Sequence, residues 1–148
     1  MRKKAIKIRK ATKKDLMGIL KVILESSVLN PADKGNKKLK EYILFSLKDK
    51  NMLTLISEVD KEIASVAICK LRSLKNEDAI LLDIYVLKSF RNKGVGKKLM
   101  KELENILKKK GIKNLGLYSE NSLKTLNFYK KEGFEIGRLI RRCDKKLK

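Results

Sequence analysis

One stretch constrains the fold of this chain more than any other. Eight nearly unbroken apolar residues, Ala79-Ile80-Leu81-Leu82-Asp83-Ile84-Tyr85-Val86, lead to Arg91-Asn92-Lys93-Gly94-Val95-Gly96 and then to a long amphipathic run. A strand apolar on both sides predicts a central position in a sheet, covered on both faces. Two glycines one residue apart open backbone conformations closed to other residues and let a ligand approach the main chain. The helix they feed begins with free N–H groups and the positive end of its dipole, which together favour a phosphate or pyrophosphate. Arg91, Lys93, Lys97 and Lys98 add positive charge beside them. Two familiar phosphate loops do not fit. A Walker A loop needs Gly at 91 and Ser or Thr at 98, and a dinucleotide fingerprint needs Gly at 99; the chain has Arg91, Lys98 and Leu99.

Around this centre the periodicity predicts one domain over residues 1–148. Ala5–Lys10 alternates as a half-wet strand, and Thr12 with Asp15 has capping-box spacing. Leu16, Ile19, Leu20, Ile23, Leu24 and Val28 then recur at helical spacing. After a loop at Asn30–Asn36, a second helix runs through Leu39, Tyr42, Ile43 and Leu47. Strands are predicted over Met52–Ser57 and Ile63–Leu71, with a hairpin turn at Val59–Glu62. The helix over Val95–Lys110 buries Leu99, Leu103, Ile106 and Leu107 and stops at Gly111. A strand over Leu115–Tyr118, a helix over Ser122–Lys131 ending at Gly133, and a last strand over Phe134–Cys143 complete the chain. The order β-α-α-β-β-β-α-β-α-β describes an α/β fold.

What is missing excludes much chemistry. The 148 residues contain no histidine, so no Ser-His-Asp triad, Cys-His dyad, His-ligated zinc or imidazole proton shuttle is available. Cys69 and Cys143 form no C-x-x-C pair, which predicts neither a disulfide framework nor a metal site, and suits a reduced, cytoplasmic chain. Cys69 alternates with apolar neighbours and reads as a small buried hydrophobe. Cys143, among Arg141, Arg142 and Lys145, reads as an oxidation-prone thiol. No apolar run approaches the roughly 18 residues of a membrane span, and no signal-peptide core follows the basic N-terminus. The net charge of +21 attracts any polyanion. It fits a lysine-rich host composition and a functional basic surface equally well.

The loop does not stand alone. Arg91-x-x-Gly94-x-Gly96 after a strand ending Asp83-Ile84-Tyr85-Val86 resembles the acetyl-CoA loop of the GCN5-related N-acetyltransferase (GNAT) family. Asn127-Phe128-Tyr129-Lys130-Lys131-Glu132-Gly133-Phe134 is similar to that family's C-terminal signature, and Ile8-Arg9-Lys10-Ala11-Thr12 with Asp15 to its opening. The resemblance covers essentially the whole chain and implies a single-domain, mostly antiparallel mixed sheet flanked by helices. It implies acetyl-CoA as co-substrate, with the backbone of Ile84, Tyr85 and Val86 pairing with the pantetheine arm. The segment Arg91, Asn92, Lys93, Gly94, Val95, Gly96 and Lys97 would hold the pyrophosphate, its amides from Asn92 onward forming the cradle. Tyr129 would act as general acid toward the departing thiolate, whose pKa lies near that of free Cys.

The chain departs from the family pattern in two places. Ser122 stands where the family often has Asn, with Asn121 one residue earlier, so a side-chain contact to pantetheine falls to Ser122 or shifts by one. The face expected to carry an acidic base, Ile80, Leu82, Ile84 and Val86, is apolar. Asp83 lies on the other face, where it would anchor a neighbouring element. Glu120, Glu25, Asp33 and a water chain remain as bases. An α-amino group of pKa about 8 is about a tenth neutral at pH 7, whereas an alkylamine near 10.4 is neutral in fewer than about one molecule in a thousand. A weak base therefore suits the first kind of acceptor, and repulsion from the +21 chain disfavours a free polycation unless the acceptor groove is locally acidic.

The expected function is transfer of acetyl to a primary amine of a small molecule or protein N-terminus, directly within a ternary complex. The alternatives are a basic nucleic-acid- or ribosome-binding module, and a CoA-binding regulatory protein without turnover. Nucleic acid would bind the transferase only through non-specific charge. The last strand is placed to pair across a homodimer.

Overall fold

The computed structural model describes residues 4–26, 36–71 and 77–147. Asp33 and Val28 lie outside them. The described chain divides into two compact units, one ending at Leu117 and one beginning at Tyr118.

The first unit is a five-stranded sheet in the order β1 (Ile6–Lys10), β2 (Met52–Val59), β3 (Glu62–Leu71), β4 (Asp78–Val86) and β5 (Asn114–Leu117). The first four strands are antiparallel neighbours and β5 joins β4 in parallel. Helices α1 (Leu16–Ser26), α2 (Asn36–Lys48) and α3 (Val95–Lys109) belong to this unit. Burial of α1 and α2 against Ile56, Val66 and Ile68 forms the core on one face of the sheet. Val95, at the start of α3, packs on the other face with Val59, Ala64 and Val86. On α3, Val95, Leu99, Met100, Leu103 and Leu107 are buried. Met100 joins the covered stripe, while Ile106, expected there, is half-buried.

Local chemistry explains the corners. The β2–β3 turn holds Asp60 and Lys61 at φ 51° and 67°, the left-handed pair that a two-residue hairpin needs to match strand twist. α3 ends in a Schellman motif: Gly111 sits at φ 77°, its N–H bonds to Lys108 O and that of Ile112 to Leu107 O, each at 3.0 Å. At the opening of α1, Asp15 accepts from Thr12 N at 2.7 Å and from both terminal nitrogens of Arg9 at 2.8 Å. Arg9 Nε also reaches Glu58 at 3.0 Å, which ties β1, the helix start and β2 together. This holds the Asp15 carboxyl well below its usual range, at about 2.

The second unit contains α4 (Leu123–Lys131), which ends in the same motif: Gly133 at φ 90°, with Phe134 N–H bonded to Tyr129 O. The element order thus follows the expected one as far as Lys131. Residues 134–147 form neither helix nor strand, so the expected strand over Phe134–Cys143 is absent. Phe134, Ile136 and Ile140 share one parity, but Gly137 and Arg138 interrupt them and Ile136, Leu139 and Ile140 stay exposed, so the segment lacks the covered face that holds a half-buried strand in place.

Candidate active site

The chemistry of the first unit concentrates where β4 loses its neighbour. β3 borders β4 from Leu71–Ala79 to Ser65–Val86, but β5 accompanies it only from Asp78 to Leu81. From Leu82 to Val86 the outer edge of β4 has no strand partner among the described residues. The direction of each main-chain group follows from one bond. Leu87 N–H reaches Ala64 O on the β3 side at 2.9 Å, so alternation turns the N–H and C=O of Val86 and Ile84 to the open edge. The main chain of Tyr85 turns the other way, toward Val66. Of the three residues expected to offer backbone to a pantetheine arm, Ile84 and Val86 therefore turn it to this edge, where Val86 O is already taken by Arg91 Nε at 3.0 Å.

A bulge rearranges the faces of this strand. Ile68 pairs with Asp83 and Cys69 with Leu81, which leaves Leu82 as the extra residue, 44% exposed. The expected face of Ile80, Leu82, Ile84 and Val86 is thereby broken. Directly opposed residues share a face, so Ile84 and Val86 lie with Ala79 and Leu81 on the α3 side, and Ile80 lies with Asp83 and Tyr85 on the side of α1 and α2. Strand alternation alone could not reveal a one-residue insertion. The same bulge leaves β4 less covered than a central strand should be.

The glycine turn follows at the end of this strand. Asn92 and Gly94 are both left-handed, at φ 59° and 77°, and Gly94 is the N-cap of α3. A Cβ on Gly94 would meet nothing within 4 Å, so the need for glycine is conformational. The first helical bond runs from Lys98 N–H to Gly94 O at 3.0 Å, and no side chain caps the turn. Hence the N–H groups of Val95, Gly96 and Lys97 have no intrahelical partner.

The basic side chains of the turn are partly committed. Arg91 Nε donates to Val86 O at 3.0 Å and its Nη2 to Ser26 O at 3.5 Å, which pins the turn to the ends of β4 and α1. Lys93 Nζ folds back to Ser89 O at 2.7 Å and lies 5.9 Å from the centre of the Phe90 ring. Lys97 is exposed.

Asp83 anchors α2, as its face predicted. Its Oδ2 accepts a short bond from Tyr42 Oη and its Oδ1 accepts from Tyr85 Oη at 3.1 Å. Burial, then the carboxylate, pushes the Tyr42 phenol far above its ordinary value. Among the candidate bases, Glu25 is exposed on α1 and Glu120 is exposed in the second unit, outside helix and strand. Cys69 is fully buried and its thiol is pushed up to about 12 by that burial, so it is no nucleophile. Among the described residues, no helix is long and apolar enough to cross a membrane.

In the second unit, Tyr129 is 9% exposed and lies edge-on between Phe128 and Phe134, with ring centroids at 5.3 and 5.6 Å. Burial raises its phenol above the ordinary value. Ser122 is the N-cap of α4: its Oγ accepts from Thr125 N at 3.3 Å and donates to Thr125 Oγ1 at 2.8 Å. That hydroxyl has a structural task that its position in the sequence did not disclose.

Comparison with known proteins identifies the family. The chain is 31% identical to a spermidine N(1)-acetyltransferase of Thermoplasma acidophilum, over 89% of each chain. A crystal structure of the PaiA N-acetyltransferase from that organism, in complex with coenzyme A, aligns with a TM-score of 0.74 and 28% identity, covering 90% of this chain and 91% of that one. A transcriptional regulator from Bacillus halodurans C-125 shares the fold, with a TM-score of 0.81 at 19% identity over 95% of this chain and 99% of that one. Residues 50–136 match the Acetyltransferase (GNAT) domain family, a span that takes in β4, the glycine turn and Tyr129. The chain therefore belongs to the GNAT family of acyl-CoA-dependent acetyltransferases.

Proposed function

We propose that this chain is a cytoplasmic, single-domain N-acetyltransferase that moves acetyl from acetyl-CoA to a primary amine by direct attack within a ternary complex. The observation that carries this reading is the edge of β4 beyond Leu81, which has no strand partner among the described residues, running into a glycine-capped helix start whose first three N–H groups have no intrahelical partner. An amide-containing arm would lie along the main chain of Ile84 and the N–H of Val86 as an added strand, and a pyrophosphate would receive the N–H groups of Val95, Gly96 and Lys97. Lys97 supplies charge there, while Arg91 and Lys93 hold the shape of the turn. As the amine nitrogen bonds to the carbonyl carbon and the carbon–sulfur bond breaks, Tyr129 gives its proton to the departing thiolate and is reprotonated from solvent, and the proton lost by the amine leaves through water or one of Glu120, Glu25 and Asp33. A phenol kept protonated by burial suits the acid role. The acceptor is a small-molecule amine or a protein N-terminus, and the spermidine-acetylating relative adds alkyl polyamines to the set to be tried.

The test is a calorimetric titration with acetyl-CoA at about 0.3 M salt, where the Debye length of about 5–6 Å suppresses diffuse attraction. ATP serves as the charge control and Gly96→Asp as the disrupted turn. Saturable binding near one per chain, absent for ATP and lost in G96D, is expected. Tyr129→Phe keeps the aromatic packing and is expected to lower kcat by about a hundredfold or more at unchanged acetyl-CoA affinity. Equal, weak and salt-sensitive binding of acetyl-CoA and ATP would reject the reading. Tight binding without turnover on any amine would make the chain a CoA-binding regulator.

A further inference from the structure

A recess opens at the end of the sheet where β1 and β3 finish and β2 begins, beside the last turn of α2 and the C-cap of α3. It lies within the first unit and holds a cavity of about 110 Å³, several times the roughly 10–15 Å³ that one water needs. The 15 residues of α3, about 22 Å of helix, separate it from the glycine turn. Its buried polar lining is Thr54 and Ser46, each 2% exposed. Thr54 Oγ1 donates to Ser46 O at 3.2 Å and Ser46 Oγ to Ile43 O at 2.7 Å, so neither hydroxyl keeps a proton for a ligand. The donors left are four ammonium groups: Lys10 from the end of β1, Lys48 from α2, Lys50 from the turn after it and Lys110 from the end of α3.

The charges around this recess do not cancel. None of the four lysines is in an ion pair among the described residues. The one carboxylate of the lining, Asp49, accepts from Asn51 N–H at 2.7 Å, which holds the turn between α2 and β2, and it pairs with none of them. Four lysines and one aspartate leave a formal charge of +3. The C-termini of α2 and α3 each bring about half a negative charge, so Lys48 and Lys110 balance the two helix ends and Asp49. What remains is about +2, carried by Lys10 and Lys50, which serve no helix end. A phosphate monoester carries about −1.5 to −2 near pH 7 and has three acceptor oxygens, which matches both the surplus and the donors.

We infer that this recess is a second anion site, which takes a phosphate dianion either free or as the terminal group of a small molecule. Its charge and shape are the same whether or not the chain transfers acetyl. A bound dianion joins the ends of β1, α2 and α3, whose lysines otherwise face one another with unopposed positive charge.

The experiment titrates inorganic phosphate, methyl phosphate and dimethyl phosphate by calorimetry, at about pH 7.5 and a constant ionic strength of about 0.15 M. Wild type is expected to bind the two dianions saturably, and dimethyl phosphate, a monoanion, at least tenfold more weakly. Lys10→Gln combined with Lys50→Gln should weaken the dianions at least tenfold. Lys14→Gln combined with Lys101→Gln removes the same charge from lysines outside the recess and should stay within about twofold. All four of these lysines are exposed, so both variants are expected to fold. Gly96→Asp, which disrupts the glycine turn, should retain the site. Phosphate binding lost in G96D but kept in K10Q/K50Q would place the anion at that turn and overturn the recess. Equal weakening by both double variants would make the attraction diffuse, and equal affinity for dimethyl phosphate would assign it to the kind of charge a nucleic-acid backbone carries. Either result overturns the site, as does no saturable binding of any of the three. Equal affinity for inorganic and methyl phosphate supports a terminal phosphate as the ligand, and a tenfold preference for inorganic phosphate supports the free anion.

Discussion

In the unit that ends at Leu117, the apolar side chains repeat with strand or helix periodicity and find cover, with Ile19, Ile56, Leu99 and Leu103 wholly buried. In residues 118–147, Leu123, Leu139, Ile140 and Leu147 stay more than half exposed, and Tyr129 is the one buried residue among those described. The second region contains no alanine, valine or methionine. The two regions also differ in period. A repeat of two or 3.6 gathers apolar groups on one side of an element, where another element can cover them together. Beyond α4 that coherence is lost, and what survives is a single aromatic cluster of Phe128, Tyr129 and Phe134.

The sharpest way to break this contrast is to label the two thiols, one in each region. Exposed Cys143 is expected to react at an ordinary rate, while Cys69, buried and pushed up to about 12, should react about a thousandfold more slowly or only on unfolding. Two fast thiols in a native thiol assay would show that the sheet core is not closed.

Core deletion comes next. Leu99→Ala should cost about 3 kcal/mol in urea unfolding, whereas Leu139→Ala, at 66% exposure, should stay within about 0.5 kcal/mol. A large loss at Leu139 would mean that the terminal segment is packed after all.

Acid titration probes the tie that Arg9 makes at the opening of the first unit. Asp15 is depressed from 3.8 to about 2, so its contribution is fully present above pH 4 and is lost as pH falls toward 2. We expect about 2 kcal/mol to disappear across that window. Arg9→Ala should lose a similar amount at neutral pH and flatten the acid limb, as followed by chemical unfolding at stepped pH. A limb unchanged by the mutation would assign the acid sensitivity to other carboxylates.

The smallest effect concerns Gly94. Gly94→Ala should cost about 1–2 kcal/mol from the left-handed backbone alone, because its Cβ would enter open space. A neutral Tm would show that the turn can adopt another conformation.

Much of this was legible before any coordinates. The helix stops at Gly111 and Gly133, the cap formed by Thr12 and Asp15, the hairpin at Asp60-Lys61 and the glycine turn all depend on local rules, in which residue type and the nearest few neighbours dictate φ or a hydrogen bond. Family membership was legible for a related reason, since a backbone-reading site is written in glycines and spacing. The burial of Cys69 followed from alternation.

Other features depended on partners distant in sequence, and only the tertiary structure decided them. The bulge at Leu82 arises from the register of β4 against β3, and it moved Ile80 to the face of Asp83. The open edge exists because β5 stops after four residues. The engagement of Arg91 with Ser26 and of Asp83 with Tyr42 likewise joins residues far apart in the sequence. The sequence by itself determined where the backbone must turn and which faces must be covered, because those costs are local. Which polar groups remain available to a substrate was decided by the fold, because availability is what remains after every other group has found its partner.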